Sequence, residues 1–129
     1  MDSDVLVVDD SAAIRKILTR VLRQTGMAIQ TIHEAGDGQE ALTLMAQHRI
    51  DLVLSDINMP KMDGLQLLAS LKTSPQWRNI PVVMITTEGG ETKVAEAVRL
   101  GAAGYVRKPF TADQIKEKLV GILEPAPTL

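Results

Sequence analysis

Three polar clusters in this chain each follow within a residue or so of a short apolar run: Asp9-Asp10 after Val5–Val8, Asp56 after Leu52–Leu54, and Lys108 after Tyr105-Val106. If those runs are parallel strands of one sheet, three carboxylates and one ammonium meet at the same edge. Open α/β sheets bind their ligands there, just beyond the carboxyl ends of the strands. Carboxylates gathered this closely need a neutralising partner, and a hard divalent cation such as Mg²⁺ is the usual one, with Mn²⁺ as an alternative. An aspartate beside such a cation can act as a nucleophile toward phosphorus. Alone, Asp9-Asp10 would read as solvated loop acids, Asp56 as a turn cap and Lys108 as a surface lysine. Their shared position at strand ends is what points to metal-assisted phosphate chemistry. Thr86 closes another such run and offers a hydroxyl donor, although alone it would be an ordinary β-branched strand residue.

The elements that must position these groups are legible as alternation. Val5–Val8, about Ile29–Glu34, Leu52–Ser55, Val82–Thr86 and Tyr105–Val106 read as strands. Between and after them run helical patterns. Ser11 caps a helix carrying Ile14, Ile17, Leu18, Val21 and Leu22 that Gly26 ends. Ala41, Leu42 and Met45 mark a second, and Leu65, Leu68 and Leu71 a third. About Glu91–Leu100 is a fourth, after Gly89-Gly90. The fifth opens on a Thr111/Gln114 capping box and is lined by Ile115, Leu119, Ile122 and Leu123. Five strands alternating with five helices imply a parallel sheet covered on both faces, with right-handed crossovers. The pattern does not choose the strand order.

Composition narrows the function classes. A chain of 129 residues with 45% hydrophobic and 2% aromatic residues builds one domain on an aliphatic core. A formal net charge of -2 offers no basic footprint for nucleic acid and no polybasic arm for a membrane. The absence of cysteine fits a reducing compartment. With no stretch apolar enough to span a bilayer, the expectation is a cytoplasmic protein without membrane insertion.

Asp9-Asp10, Asp56, Thr86 and Lys108-Pro109-Phe110, with Asn58-Met59-Pro60-Lys61-Met62-Asp63-Gly64 after the acceptor, resemble the receiver domain of two-component response regulators. The likeness runs from about Val5 to Leu123 and is nearest the single-domain chemotaxis members, including Gly101-Ala102-Ala103-Gly104-Tyr105 before the lysine. It implies a flavodoxin-like α/β three-layer sandwich, (βα)5, with a parallel five-stranded sheet of order 2-1-3-4-5. It also implies a receiver domain over residues 1–124 and a tail or linker stub over 125–129.

The same resemblance implies roles. Asp56 is the phospho-acceptor. Asp9, Asp10, Asp56 and the backbone carbonyl of Asn58 hold Mg²⁺. Thr86 and Lys108 bind the phosphoryl group, Thr86 and Tyr105 form the switch pair, and the bond to Pro109 is cis. Asn58 and Glu88 tune dephosphorylation; their ordinary readings are a turn residue and a solvated acid. Val94, Tyr105 and Lys118 lie on the target face. Ile57 stands where the chemotaxis members carry tryptophan, so Trp77 lies away from the site. Implied partners are a sensor histidine kinase and a downstream protein, the flagellar motor switch among the candidates, with the chain itself a monomer. The chain catalyses its own phosphoryl transfer and slow hydrolysis without steady turnover.

Other readings remain open on the residues. A receiver excised from a larger regulator or hybrid kinase would share every motif. A hydrolase of the haloacid-dehalogenase type would want a second carboxylate where Asn58 stands. A nucleotide or flavin binder would want a Gly-rich or hydroxyl-rich first loop where Asp9-Asp10-Ser11 stands. A purely structural adaptor would not need the full polar set.

Overall fold

The computed structural model describes residues 3–87 and 91–123. Five strands and five helices alternate: β1 (Ser3–Val8), α1 (Ala12–Gln24), β2 (Ile29–Ala35), α2 (Gly38–Gln47), β3 (Leu52–Asp56), α3 (Gly64–Lys72), β4 (Val82–Thr86), α4 (Glu91–Leu100), β5 (Gly104–Arg107) and α5 (Ala112–Leu119). The strands form one parallel sheet in the order β2-β1-β3-β4-β5. This is the flavodoxin-like order.

Continuous apolar strands require cover on both faces, and the helices supply it in two layers. Val5, Val7, Leu52, Leu54, Val83, Ile85 and Val106 point to one side, where Leu18 and Leu22 of α1 and Ile115 and Leu119 of α5 pack on them. Leu6, Val8, Val53, Val82 and Met84 point to the other, against Ala41 and Met45 of α2, Leu67, Leu68 and Leu71 of α3, and Ala97 of α4. The period of two along each strand therefore divides one apolar run between two cores.

Helix starts are fixed by side chains that satisfy otherwise unpaired N–H groups. Ser11 accepts from Ile14 N at 3.3 Å and Asp37 accepts from Glu40 N at 2.8 Å. Asp63 with Gln66, and Thr111 with Gln114, form reciprocal capping boxes. Of these two boxes, the Thr111/Gln114 one is expected from the sequence.

Several boundaries move for local reasons. The first strand begins at Ser3 rather than Val5, because Asp4 N donates to Asp51 Oδ2 at 2.8 Å and Asp51 N to Asp4 O at 2.8 Å. The first helix ends at Gln24, with Thr25 as its cap just before Gly26 at φ 75. The last helix is shorter than its apolar spacing suggests. It stops at Leu119, where Val120 turns extended and Gly121 takes φ 89. Ile122 and Leu123 still reach the core, from the irregular turn beyond. Glu88, Gly89-Gly90 and the 125–129 tail lie outside the described residues.

Candidate functional site

Strand order places the chemistry. The register pairs Val8 with Ser55, Asp56 with Ile85 and Thr86 with Arg107, so the carboxyl ends of β1, β3, β4 and β5 form one row. Asp9-Asp10 leave β1, Asp56 ends β3, Thr86 ends β4, and Lys108 follows β5. Carboxylate oxygens of Asp9, Asp10 and Asp56 all lie within 4.8 Å of one another. Lys108 Nζ reaches this nest from the far side, 3.0 Å from Asp9 Oδ2 and 3.6 Å from Asp56 Oδ2.

Each group is held by neighbours. Asp9 is 1% exposed; its Oδ1 accepts from Ser11 N at 2.9 Å, and its own N–H bonds Ala35 O. Lys108 N donates to Thr86 O at 2.7 Å, and the Lys108–Pro109 peptide bond is cis. Thr86 is buried with its hydroxyl donating to Thr87 O at 3.1 Å. Asp56 Oδ1 accepts from Ile57 N at 2.8 Å. Burial raises the pKa of Asp56 above the ordinary aspartate value; Lys108 pulls it back, Asp9 pushes it up, and the Ile57 and Asn58 N–H groups lower it.

Asp10 is exposed where Asp9 and Asp56 are buried, so the nest opens to solvent on the Asp10 side. Three hard carboxylate oxygens suit a hard divalent cation such as Mg²⁺ or Mn²⁺ better than zinc or copper. The donor set therefore fits Mg²⁺.

Two further residues join the site. Arg15 Nη1 donates to Asp9 O at 2.7 Å while its Nε pairs with Glu34 at 3.1 Å, pinning α1 to the end of β1. Its only sequence signal is the position one helical turn past the Ser11 cap. Lys93 Nζ donates to Asn58 Oδ1 at 2.6 Å, linking the loop after β3 to the start of α4. Nothing in the spacing of residues so far apart announces that bond.

Three of the remaining expected residues lie on α4, β5 and α5. Tyr105 on β5 is half-buried, and Lys118 of α5 places its Nζ 5.5 Å from the ring centroid. Val94 is half-buried on α4. Glu88 lies outside the described residues. Trp77 packs in the connection between α3 and β4, at the end of the sheet opposite the acids, beside a cavity it lines with Met45, Ile50 and Ile80.

The family model of the response regulator receiver domain matches residues 5–120. The chain is 39% identical over 120 residues to the chemotaxis protein CheY-3 of Vibrio cholerae, covering 93% of this chain and 91% of that one. It is 38% identical to the chemotaxis protein CheY of Pseudomonas aeruginosa, covering 93% and 95%. The crystal structure of CheY4 of Vibrio cholerae superposes with a TM-score of 0.83 at 32% identity, covering 95% of this chain and 100% of that one. The receiver domain of NtrX from Brucella abortus gives 0.83 at 33%, covering 92% and 97%. The chain belongs to the response regulator receiver family of two-component signalling. Within it, the chain is a homologue of the CheY chemotaxis regulators.

Proposed function

We propose that Asp56 is the phospho-acceptor of this receiver and that the chain works as a phosphorylation-driven switch in chemotaxis. The observation that carries the reading is the meeting of Asp9, Asp10 and Asp56 oxygens within 4.8 Å, with Lys108 Nζ against two of them. Asp9, Asp10, Asp56 and the Asn58 backbone carbonyl would hold Mg²⁺. Bound there, the cation supplies positive charge for the oxygens of the transferring phosphoryl group.

The chain's own residues do the rest. An Asp56 oxygen bonds to phosphorus as the phosphorus–nitrogen bond of a kinase phosphohistidine breaks, its electron pair staying on the imidazole. Lys108, already between Asp9 and Asp56, moves its ammonium onto the equatorial oxygens. The Thr86 hydroxyl exchanges the Thr87 carbonyl for a phosphoryl oxygen. Half-buried Tyr105 answers that movement, and the surface of α4, β5 and α5 carrying Val94, Tyr105 and Lys118 is read by a protein target. Asn58, with Glu88, tunes hydrolysis. The flagellar motor switch is the candidate target; the chain acts as a cytoplasmic monomer. The domain spans residues 1–124, with 125–129 as a tail.

The test is acetyl phosphate with Mg²⁺, read by intact mass. Wild type gains one labile phosphoryl group, and Asp56→Asn gains none. A variant that still takes the label removes Asp56 from the role.

A further inference from the structure

Lys93 is the third residue of α4, and its ammonium lies 2.6 Å from Asn58 Oδ1 although both side chains are on the exposed surface. We propose that Lys93 sets how long the phosphoryl group on Asp56 survives, by keeping the Asn58 carboxamide from serving the attacking water. The proposal rests on Asp56 being the phosphorylated residue.

Asn58 is anchored next to the reacting oxygen. It stands two residues past Asp56, whose Oδ1 accepts from the N–H of the intervening Ile57 at 2.8 Å. In hydrolysis the water oxygen bonds to phosphorus and the phosphorus–Asp56 bond breaks. Its electron pair returns to the carboxylate, and one water proton is released. That water grows acidic as it attacks and needs an oxygen acceptor. Asp9 is buried with one oxygen held by the Ser11 N–H, and in the proposed Mg²⁺ site the carboxylates of Asp9 and Asp10 are committed to the cation. Asn58 Oδ1 is a neutral oxygen on the solvent side of the same loop. Bonded to an ammonium, it accepts a second donor poorly, and the adjacent positive charge opposes a departing proton.

The lock comes from another element, and this gives it a regulatory meaning. Lys93 precedes Val94 on α4. A protein seated on α4 that displaces the first turn would release Asn58 and shorten the signal it reads. Coupling of this kind is reciprocal.

Wild type, Lys93→Met, Lys93→Arg, Asn58→Ala and the Lys93→Met/Asn58→Ala double variant are phosphorylated with acetyl phosphate and Mg²⁺. The donor is then removed and the phosphoryl group is followed by intact mass. Lys93→Met shortens the lifetime about threefold to tenfold, below the roughly 100-fold or more of a full general base. Lys93→Arg, which keeps the charged donor, restores it to within about twofold of wild type on the same scale. In the Asn58→Ala background the methionine substitution has no effect. An equal or longer lifetime in Lys93→Met overturns the proposal, as does a shortening that persists without the Asn58 carboxamide. Wild type that takes no phosphoryl group at all overturns the Asp56 reading instead, a failure seen before any lifetime is measured.

Discussion

Burial raises the pKa of Asp56, and Lys108 at 3.6 Å offsets only part of that rise. The sign of the consequence follows from linkage. The native state holds the Asp56 proton more tightly than the unfolded chain does, so native stability falls as pH rises from the unfolded pKa through the raised folded one. Above that window the ionised group weighs against folding; below it the contribution is fully favourable. In metal-free buffer, Asp56→Asn should raise the thermal midpoint by a few degrees at neutral pH, and the gain should shrink as pH falls through the window. An identical gain at acidic and neutral pH would contradict this account of the nest. A cation in the site acts the other way, favouring the carboxylate. The acids, Thr86 and Lys108 are legible in the sequence because each closes an apolar run. Lys93 and Arg15 are not, because an exposed lysine and a helical arginine carry no spacing signal until the fold brings them to Asn58 and Asp9.

At the scale of elements, the turn from β3 into α3 sets the position of Asp56. Gly64 N donates to Ile57 O at 2.7 Å, drawing the start of α3 back against the strand end. A Cβ at Gly64 would fall 2.1 Å from Asp56 O and 2.8 Å from Ile57 Cα, and neither backbone atom can yield without moving Asp56. Gly64→Ala should therefore cost about 1–3 kcal/mol or more in urea denaturation, in the manner of other overpacked sites. An unchanged midpoint would show that the turn gives way freely. Such packing is invisible in sequence. The end of α5 shows the opposite error. The spacing of Ile115, Leu119, Ile122 and Leu123 is helical, yet the backbone leaves the helix at Val120 and Gly121, and from a turn Ile122 packs against the core and Leu123 is buried in it. Periodicity records which side chains face the core, not which backbone carries them there.

Across the whole molecule, one parallel sheet keeps chemistry and scaffold apart. The acids and Lys108 gather at the carboxyl ends of the strands, and Trp77 with its cavity lies at the other end. Alternating apolar runs are enough to read five strands covered on both faces. They cannot order those strands, because a buried strand looks the same in any central position. The order came from the family resemblance, and the structure bears it out. That order makes β1 and β3 neighbours, and through them brings Asp9 and Asp10 to Asp56 across more than 40 residues of chain. We propose that this meeting makes Asp56, and no other acid, the site of phosphoryl storage. Borohydride reduces an acyl phosphate on aspartate to homoserine, so treating the phosphorylated protein and mapping its peptides by mass reads the site directly. Homoserine at position 56, formed only when Mg²⁺ was present during phosphorylation, is the predicted result. Homoserine at Asp9, Asp10 or elsewhere, or labelling indifferent to Mg²⁺, would contradict it.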